Sequence, residues 1–302
     1  MKKLYLLKKE NNRSVIIIGL GLIGLSVVNE LIRNGYRVYR AHRIDWKGPT
    51  NQIITDVLTF IDEVFPEDVS LIWSAGKCGF NSGDSETKVE DSFFSKVIGS
   101  IDEYLEDKEQ VLSFYLVSSI GGLFEGQVSI NDQMTPRPQR AYGRLKLSQE
   151  RTLLDSSDRV RPFIFRLSSV YGSVNSNNRM GLIQVLIKNG IENKITKIYG
   201  NADTLRDYTS VDDVSNFICR VVTTSYNNGR NIYHLANGKA SSIAEIKHLV
   251  EKKIRKRLLF SYEKNVTNNL NIVCSANSYR GVWSPSIINE NIRKLYEQAI
   301  NK

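Results

Sequence analysis

The sequence predicts an α/β fold, in which a doubly wound parallel sheet is followed by a smaller C-terminal lobe. Short β-branched runs without polar interruption, of which the run from Val15 to Ile18 is the clearest, are typical of strands buried on both faces. Such runs alternate with segments of helical periodicity, which indicates a parallel sheet with helices packed on its faces. Beyond about residue 170 the alternation loosens, and an Asn- and Ser-rich loop over 173–178 marks the start of the smaller lobe.

The expected elements follow in order along the chain. Strands are expected over residues 15–18, 36–40, 69–73, 111–117 and 163–167, and helices over 25–33, 88–105, 141–154 and 214–222. The first helix ends before Gly35, because a glycine is a common helix stop. His234 lies in a further apolar run and is interpreted as a structural residue of a strand. The Lys-rich N-terminus, with Tyr5, is interpreted as a flexible arm.

The composition is that of an ordinary globular protein with an anionic partner. Of the 302 residues, 41% are hydrophobic and 24% are charged, which is sufficient for a packed core. The net charge of +9 suits a phosphorylated small molecule, whereas nothing in the pattern of basic residues favours nucleic acid. Three dispersed cysteines form neither a metal-ligand pattern nor a disulfide framework. Because no apolar run is long enough for a signal peptide or a membrane span, we expect a cytoplasmic protein without a metal and without membrane insertion.

A glycine motif follows the first strand and opens the first helix. It consists of Gly19, Gly21 and Gly24, with Leu22 and Ile23 between the last two. In this context Gly19 permits a tight turn, Gly21 lets a pyrophosphate approach the backbone, and Gly24 allows close packing of helix on sheet. The N–H groups at the helix N-terminus then face the phosphates. The motif therefore predicts a dinucleotide site of the Rossmann type.

Two domains are expected around this site. Residues 1–168 would form the NAD(P)-binding Rossmann domain, and residues 169–302 would form mostly a substrate-binding lobe. Segments within about 205–235 would return to the Rossmann domain, since strand-like and helical patterns reappear there.

The end of the second strand bears on the choice between NAD and NADP. An NAD site usually has an acid there, which binds the ribose 2′-hydroxyl. The corresponding position falls near His42, and the nearest acid, Asp45, comes too late. Arg43, together with Arg40, is instead placed to bind a 2′-phosphate, because a guanidinium matches the phosphate oxygens. We therefore expect NADP, with NAD as the alternative.

A set of hydroxyl and amino groups predicts proton-transfer chemistry. Tyr142 and Lys146 are four residues apart on an expected helix, so that both side chains can face one site. An ammonium group beside a phenol favours the phenolate and makes the tyrosine a better proton-transfer group. Ser118 and Ser119 end the strand at 111–117, and ligand sites of parallel sheets lie at such strand ends.

With these motifs the sequence resembles the extended short-chain dehydrogenases/reductases, also called the NAD-dependent epimerase/dehydratase family. The resemblance runs from Val15 to Ile246 and rests on motifs that occur in the family's order. These are the glycine turn at 19–24, Asp56 with Val57, Ser74 to Gly76, Ser118 with Ser119, Tyr142 with Lys146, and the segments 166–172, 206–213 and 231–238.

The resemblance implies roles for the matching residues. Tyr142 would be the general acid/base, Lys146 would bind the nicotinamide ribose and tune Tyr142, and Ser119 would polarise the reacting substrate oxygen. Further cofactor contacts are expected from His42, Arg43, Asp56, Val57, Ser74, Ala75, Gly76, Ser169 and Val170, with Asp56 and Val57 bordering the adenine. Substrate contacts are expected from Ser118, Ser119, Ser169 and Arg206, of which Arg206 would bind the phosphates of a nucleotide-linked sugar.

The residues after Ser119 bear on the type of reaction. The family's dehydratases resemble one another in an Asp-Glu pair at this point, but Ile120 and Gly121 follow here. Because NADP is expected, the preferred interpretation is an enzyme that reduces a 4-keto nucleotide sugar by hydride transfer. A nucleotide-sugar 4-epimerase with bound NAD is the alternative, and a non-catalytic NADP-binding sensor is a second alternative. The resemblance also implies a homodimer formed through the helices at 89–105 and 141–154.

Overall fold

Strands and helices alternate through most of the chain. The computed structural model describes residues 2–9, 13–44, 49–64, 68–172, 180–224, 231–263, 270–275 and 283–301. The strands are β1 (Lys2–Lys9), β2 (Arg13–Ile18), β3 (Arg37–Ile44), β4 (Asp68–Trp73), β5 (Leu112–Ser119), β6 (Val160–Leu167), β7 (Ser169–Tyr171), β8 (Thr196–Tyr199), β9 (Leu205–Ser210), β10 (Ile232–Leu235), β11 (Ala240–Ser242) and β12 (Phe260–Glu263). The helices are α1 (Leu22–Arg33), α2 (Thr50–Asp62), α3 (Asp84–Leu105), α4 (Ile120–Leu123), α5 (Ala141–Leu154), α6 (Leu182–Ile191), α7 (Val211–Thr224), α8 (Ile243–Ile254) and α9 (Ile288–Ile300).

The chain divides into two units. Unit 1 comprises residues 1–123, 138–166 and 218–233, and unit 2 comprises residues 124–137, 167–217 and 234–302. The first domain was expected over residues 1–168 with segments within about 205–235 returning to it, and the later segments of unit 1 are 138–166 and 218–233. Residues 124–137 belong to unit 2, although they precede the helix that carries Tyr142 and were expected in the first domain.

A seven-stranded sheet, carried almost entirely by unit 1, confirms the predicted α/β class. The strand order is β10-β6-β5-β4-β2-β1-β3. β4 runs parallel to both β2 and β5, with Ile17 opposite Ile72 and Ile72 opposite Tyr115. β2 and β4 are buried along their whole length after the first residue, as expected of strands covered by helices on both faces.

The N-terminal segment is a strand inside this sheet, so the expectation of a flexible arm is wrong. β1 lies between β2 and β3 and runs antiparallel to both, with Leu4 opposite Ile18 on one side and opposite His42 on the other. The side chains of Leu4, Leu6 and Leu7 are fully buried. Burial of three leucines stabilises this pairing, since each contributes about 1.5–3 kcal/mol relative to an exposed side chain.

The insertion of β1 moves β3 away from the glycine turn. Neighbouring strands lie about 4.8 Å apart, so the end of β3 is separated from β2 by about 10 Å rather than by one strand spacing. The backbone of Lys2 and Lys3, opposite Ile44 and Arg43, occupies the intervening position. A residue at the end of β3 therefore does not adjoin the end of β2.

The core of unit 1 lies on both faces of the sheet. Trp73 packs edge-to-face on Phe94 of α3, with ring centroids 5.3 Å apart, and both side chains are buried. Helix α2, which the sequence analysis does not predict, contributes Ile53, Val57, Phe60 and Ile61 to the same core. Their spacing of three and four residues is that of an amphipathic helix, so the signal is present in the sequence.

Unit 2 is a smaller α/β assembly with its own core. β7 runs parallel to β9, and β11 pairs with the other edge of β9 in the antiparallel sense. β8 and β12 form a parallel pair. The core is formed mainly by side chains of α6, α8 and α9, including Ile187, Ile246, Val250 and Leu295. None of the helices within the described ranges is long and apolar enough to cross a membrane.

Candidate active site

The glycine turn after β2 has the geometry of a phosphate-binding turn. Gly19 has a φ of +93°, and a Cβ there would lie 2.4 Å from backbone atoms of Ala75. A Cβ on Gly24 would lie 2.2 Å from the carbonyl oxygen of Gly19, so neither position admits a side chain. A Cβ on Gly21 would meet no described atom within 4 Å. The backbone at Gly21 is therefore open to a ligand, whereas Gly19 and Gly24 hold the turn closely against its neighbours.

The N-terminus of α1 is suited to bind an anion. Gly21 is the residue that precedes the helix, and no side chain among the described residues caps the first turn. The first turn contains Leu22 and Ile23 and no acid, so nothing on the helix itself neutralises the positive end of its dipole. Ser74 donates hydrogen bonds to the carbonyl oxygens of Ile18 and Gly19, at 3.3 and 2.5 Å, and so ties the turn to the end of β4. These features fit the pyrophosphate of a dinucleotide.

A cavity of about 760 Å³ begins at Ala75, which adjoins this turn. Its wall consists of the end of β4 and its loop, of α2, and of one face of α3. The residues that line it include Thr50, Ile53, Ala75, Gly76, Val89, Glu90 and Phe93. The volume lies in the range of small-molecule sites, and the apolar side chains suit a flat aromatic ring.

Asp56 and Val57, expected to border the adenine, do not line this cavity. Val57 is 1% exposed and belongs to the core. The carboxylate of Asp56 contacts Nε2 of His42 at 3.1 Å and accepts a hydrogen bond from Gln52 at 3.2 Å. Ile53, one turn earlier on α2, lies in the cavity wall instead. Ile53 was not among the expected contacts, because α2 was not among the helices expected from the sequence.

The side chains at the end of β3 are occupied by other contacts. Arg40 forms an ion pair with Glu63, and its guanidinium lies 4.9 Å from the centroid of the Phe60 ring. His42 is engaged with Asp56. The side chain of Arg43 lies outside the described residues. The guanidinium of Arg40 is therefore already bound within the protein. Of the two arginines expected to bind a 2′-phosphate, this leaves Arg43.

Ser119 and Tyr142 are connected through Gly122. Ser119 is the last residue of β5, and its Oγ accepts a hydrogen bond from the backbone N–H of Gly122 at 3.1 Å. A Cβ on Gly122 would lie 3.1 Å from two ring carbons of Tyr142, so the tyrosine ring lies directly against this backbone. The ring of Phe80 flanks Tyr142 with a centroid distance of 5.7 Å. The structure thus brings the predicted serine and tyrosine to the same end of the sheet.

Lys146 lies on the same helix as Tyr142 and is buried. Its Nζ lies 6.0 Å from the centroid of the Tyr142 ring. The ammonium donates a hydrogen bond to Oε1 of Gln149 at 3.0 Å. Gln149 is fully buried, and the sequence analysis missed it, although its position three residues after Lys146 places both on neighbouring parts of one helix face. Gln149 thus fixes the position of the Lys146 ammonium group.

Ser118 does not share the environment of Ser119. Its Oγ donates a hydrogen bond to Oε1 of Glu150 at 2.5 Å, and its residue is only 4% exposed. Arg166 binds both oxygens of the same carboxylate, at 3.1 Å through Nε and at 2.7 Å through a terminal nitrogen. Successive side chains of a strand point to opposite faces, which explains why only one of the two serines faces Gly122. Ser118 therefore acts in a buried ion-pair network between β5, α5 and β6.

Two of the expected substrate contacts, Ser169 and Arg206, and the expected cofactor contact Val170 lie in unit 2. Ser169 and Val170 are in β7, opposite Tyr208 and Thr209 of β9. Arg206 is in β9 and donates hydrogen bonds to the carbonyl oxygens of Leu205 and Leu270, the former at 3.0 Å. All three expected contacts are thus on adjacent strands of one sheet.

Other reactive side chains show no competing arrangement. Burial, reinforced by Glu90, raises the pKa of the Cys78 thiol to about 11. At neutral pH this thiol is protonated and a poor nucleophile. No group of three or more His, Cys, Asp or Glu side chains in the described ranges could hold a metal ion. The predicted set of Ser119, Tyr142 and Lys146 belongs entirely to unit 1.

Comparison with known proteins decides the family. The family model described as "NAD dependent epimerase/dehydratase family" matches residues 15–236, which is most of the chain. The chain belongs to this family. The resemblance inferred from the sequence motifs is therefore confirmed.

One curated relative matches the sequence of this chain over a limited region. It is the dTDP-L-rhamnose 4-epimerase of Burkholderia thailandensis, which is 28% identical over 123 residues. The match covers 39% of this chain and 34% of the relative, so the chain spans about a third of the protein it matches.

Solved structures of family members share the fold over almost the whole chain. MoeE5 in complex with UDP-glucose and NAD has a TM-score of 0.73 at 18% identity, covering 95% of this chain and 98% of that one. The UDP-glucose 4-epimerase of Thermus thermophilus in complex with NAD has a TM-score of 0.74 at 16% identity, with coverages of 94% and 98%. Both structures contain NAD, and the expected preference for NADP has no support from them.

Proposed function

We propose that this chain is an NAD-dependent epimerase that inverts C4 of a nucleotide-linked sugar. The observation that carries the proposal is the arrangement of Ser119, Tyr142 and Lys146, in which Gly122 contacts both the serine hydroxyl and the tyrosine ring. Hydroxyl, phenol and ammonium groups in one place are the groups needed to take a proton from an alcohol and to return it.

The residues of unit 1 fit NAD. The open backbone at Gly21, together with the uncapped first turn of α1, is the proposed binding site of the pyrophosphate. Ile53 and Ala75 are proposed to enclose the adenine in the cavity, in place of Asp56 and Val57. When bound, NAD supplies an acceptor for the hydride from C4 and a donor that returns it to the opposite face of the sugar.

Each member of the catalytic set has a distinct proposed task. The Oγ of Ser119 accepts a hydrogen bond from the N–H of Gly122, so its own proton can be donated to the substrate oxygen at C4. Tyr142 takes the proton of the C4 hydroxyl as general base and returns it as general acid. The ammonium of Lys146, 6.0 Å from the ring centroid, stabilises the negative charge that develops on the phenol during proton transfer.

Three residues of unit 2 are proposed to bind the sugar nucleotide. Ser169 and Val170 would contact the sugar, and Arg206 would contact the phosphates of the nucleotide. A guanidinium is well matched to phosphate oxygens, and Arg206 is held by two carbonyl oxygens of its surroundings. Support for this assignment comes from their common position on β7 and β9.

Epimerisation is favoured over reduction of a 4-keto sugar by three observations. Arg40, one of the arginines that suggested NADP, is paired with Glu63. The solved relatives contain NAD, and one sequence relative is named as a 4-epimerase. An enzyme that retains NAD and returns the hydride needs no reducing equivalents from outside.

The test is an assay of the purified protein with UDP- and dTDP-linked hexoses. The proposal predicts conversion to the C4 epimer with no net formation of reduced nicotinamide and no consumption of added cofactor. Conversion of a 4-keto sugar with one equivalent of NADPH consumed would identify a reductase instead. Tight dinucleotide binding without turnover of any sugar would identify a sensor.

We further propose a homodimer that acts in the cytoplasm. Helices α3 and α5 pack side by side, with Arg144 bound to Asp84 at 2.8 Å and Ser148 bound to Asp91 at 2.8 Å. Leu154 of α5 is 42% exposed, as expected of a position that a second copy would cover. Light scattering of the purified protein would measure its mass, and a monomeric mass would contradict the dimer.

A further inference from the structure

Glu90 of α3 holds the loop that follows β4. Its Oε2 accepts hydrogen bonds from the backbone N–H groups of Lys77 and Cys78, at 2.7 and 2.9 Å. These two bonds fix the backbone immediately after Gly76, at the edge of the cavity described above. One carboxylate oxygen of Glu90 thus has a clear structural role.

The second oxygen of Glu90 is buried and has no hydrogen-bond partner among the described residues. This Oε1 is inaccessible to solvent, and a Cβ on Gly76 would lie 3.0 Å from it. Both Glu90 and Gly76 line the cavity. An unsatisfied carboxylate oxygen costs free energy in such surroundings, and a donor from a bound ligand would satisfy it. Gly76 has no side chain that would press on this oxygen.

The cavity is the place for the half of the dinucleotide that does not react. Ser119, Tyr142 and Lys146 are not part of its wall, so the reacting nicotinamide belongs elsewhere in the site. Ile53, Val89 and Phe93 give the cavity apolar walls that suit adenine. The donors that an adenosine can offer to Glu90 are its 6-amino group and its ribose hydroxyls.

The described residues of β3 include no acidic acceptor for this half of the cofactor. In related folds an acid at the end of the second strand of the βαβ unit binds the ribose. That strand is β3 here, its residues Arg37–Ile44 include no acid, and β1 separates it from β2; Asp45, which follows, lies outside the described residues. We infer that Glu90 is an acceptor for this half of the cofactor, with its Oε1 accepting a hydrogen bond from the adenosine half of NAD. The inference rests on the proposed dinucleotide site of unit 1.

Calorimetric binding of dinucleotides to Glu90→Gln tests the inference without any sugar substrate. A glutamine can still accept the Lys77 and Cys78 bonds through its oxygen, but it presents an NH₂ group where Oε1 was. We expect its affinity for NAD to fall by roughly tenfold or more. Glu103→Gln is the matched control, because Glu103 is an exposed glutamate of the same helix and does not line the cavity. It should bind NAD within about twofold of the unchanged protein.

Two analogues separate the possible donors. If the 6-amino group is bound, the loss in Glu90→Gln should be confined to NAD and absent for nicotinamide hypoxanthine dinucleotide, which has an oxygen at that position. If a ribose hydroxyl is bound, both should lose affinity equally, and NADP should gain relative to NAD. Affinity for NAD that is unchanged in Glu90→Gln, or lowered equally in Glu103→Gln, would overturn the inference. Failure of the unchanged protein to bind any dinucleotide would instead refute the proposed function, and thermal melting of each variant verifies that it is folded.

Discussion

The α-hydrogens of Gly143 face the carbonyl oxygen of Gly122 so closely that a Cβ on Gly143 would lie 2.0 Å from that oxygen. This contact sets the distance between α4, which follows Ser119, and α5, which carries Tyr142 and Lys146. A glycine inside a helix costs about 0.5–1 kcal/mol relative to alanine. Here the cost is offset by the close approach that brings the serine and the tyrosine together.

Gly143→Ala should therefore impair the site although alanine is the better helix former. The new methyl group must push α4 and α5 apart, and we expect turnover to fall by at least about tenfold, since small displacements of catalytic groups are costly. The measurement is kcat for the sugar nucleotide together with the thermal midpoint. Gly99→Ala on α3 is the control, because a Cβ there meets no described atom within 4 Å. Equal activity of both variants would contradict the role of this contact.

The buried network of Ser118, Glu150 and Arg166 should be important for stability. Glu150→Ala leaves the Arg166 guanidinium, which is 7% exposed, without its carboxylate. Removing one partner of a buried ion pair costs about 3–5 kcal/mol. Urea denaturation should show this loss, whereas Arg144→Ala, which removes an exposed ion pair with Asp84, should cost less than about 1 kcal/mol. Similar losses in the two variants would refute the assigned role.

The strand β1 should contribute to the stability of the whole sheet. Leu6 is fully buried between β2 and β3, and its replacement by alanine should cost about 2–5 kcal/mol. The free energy of unfolding from denaturant titration measures the loss. Val38→Ala of β3, whose side chain is 42% exposed, is the control and should change it by about 0.5 kcal/mol or less. A neutral Leu6→Ala would mean that the N-terminal segment is not part of the folded sheet.

Cys78 should react with alkylating agents only at high pH. Its pKa is raised from 9.0 to about 11 by burial and by Glu90, so the thiolate fraction reaches one half only near pH 11. Below pH 9 the thiolate fraction should be about a hundredfold smaller than that of an unshifted thiol. Mass spectrometry after timed iodoacetamide treatment at several pH values gives the profile, and the unfolded protein serves as the reference. Rapid alkylation of folded protein near pH 8 would contradict this environment.

The elements that the sequence predicts well are those whose signal is local. β2 contains the apolar run from Val15 to Ile18, β4 contains the apolar run from Leu71 to Trp73, and the expected helix at 141–154 coincides with α5. The glycine turn and the pair of Tyr142 with Lys146 were found because their spacing alone fixes their relation along one turn or one helix face. The structure adds Gly122 as the connection between that pair and Ser119.

The features that the sequence does not predict depend on pairing between distant segments. Four apolar residues between lysines fit an exposed arm as well as a strand, and only pairing with β2 and β3 distinguishes them. Because β1 lies between β2 and β3, the end of β3 does not adjoin the glycine turn that follows β2. The cofactor contacts expected of His42 and Arg43 assumed that β2 and β3 are neighbours. The alternation of side chains along a strand can be predicted from the sequence alone, and it places Ser118 and Ser119 on opposite faces of β5.

The most direct test of the central claim follows a hydrogen label through the reaction. The purified protein, without added cofactor, is incubated with a nucleotide hexose that carries deuterium at C4, and the product is analysed by NMR. Return of the same hydride predicts the C4 epimer with deuterium retained at C4, and Tyr142→Phe should lower this conversion by about 10²- to 10⁴-fold while binding NAD normally. Loss of the deuterium to solvent, conversion only with a stoichiometric supply of reduced cofactor, or undiminished activity of Tyr142→Phe would contradict the account.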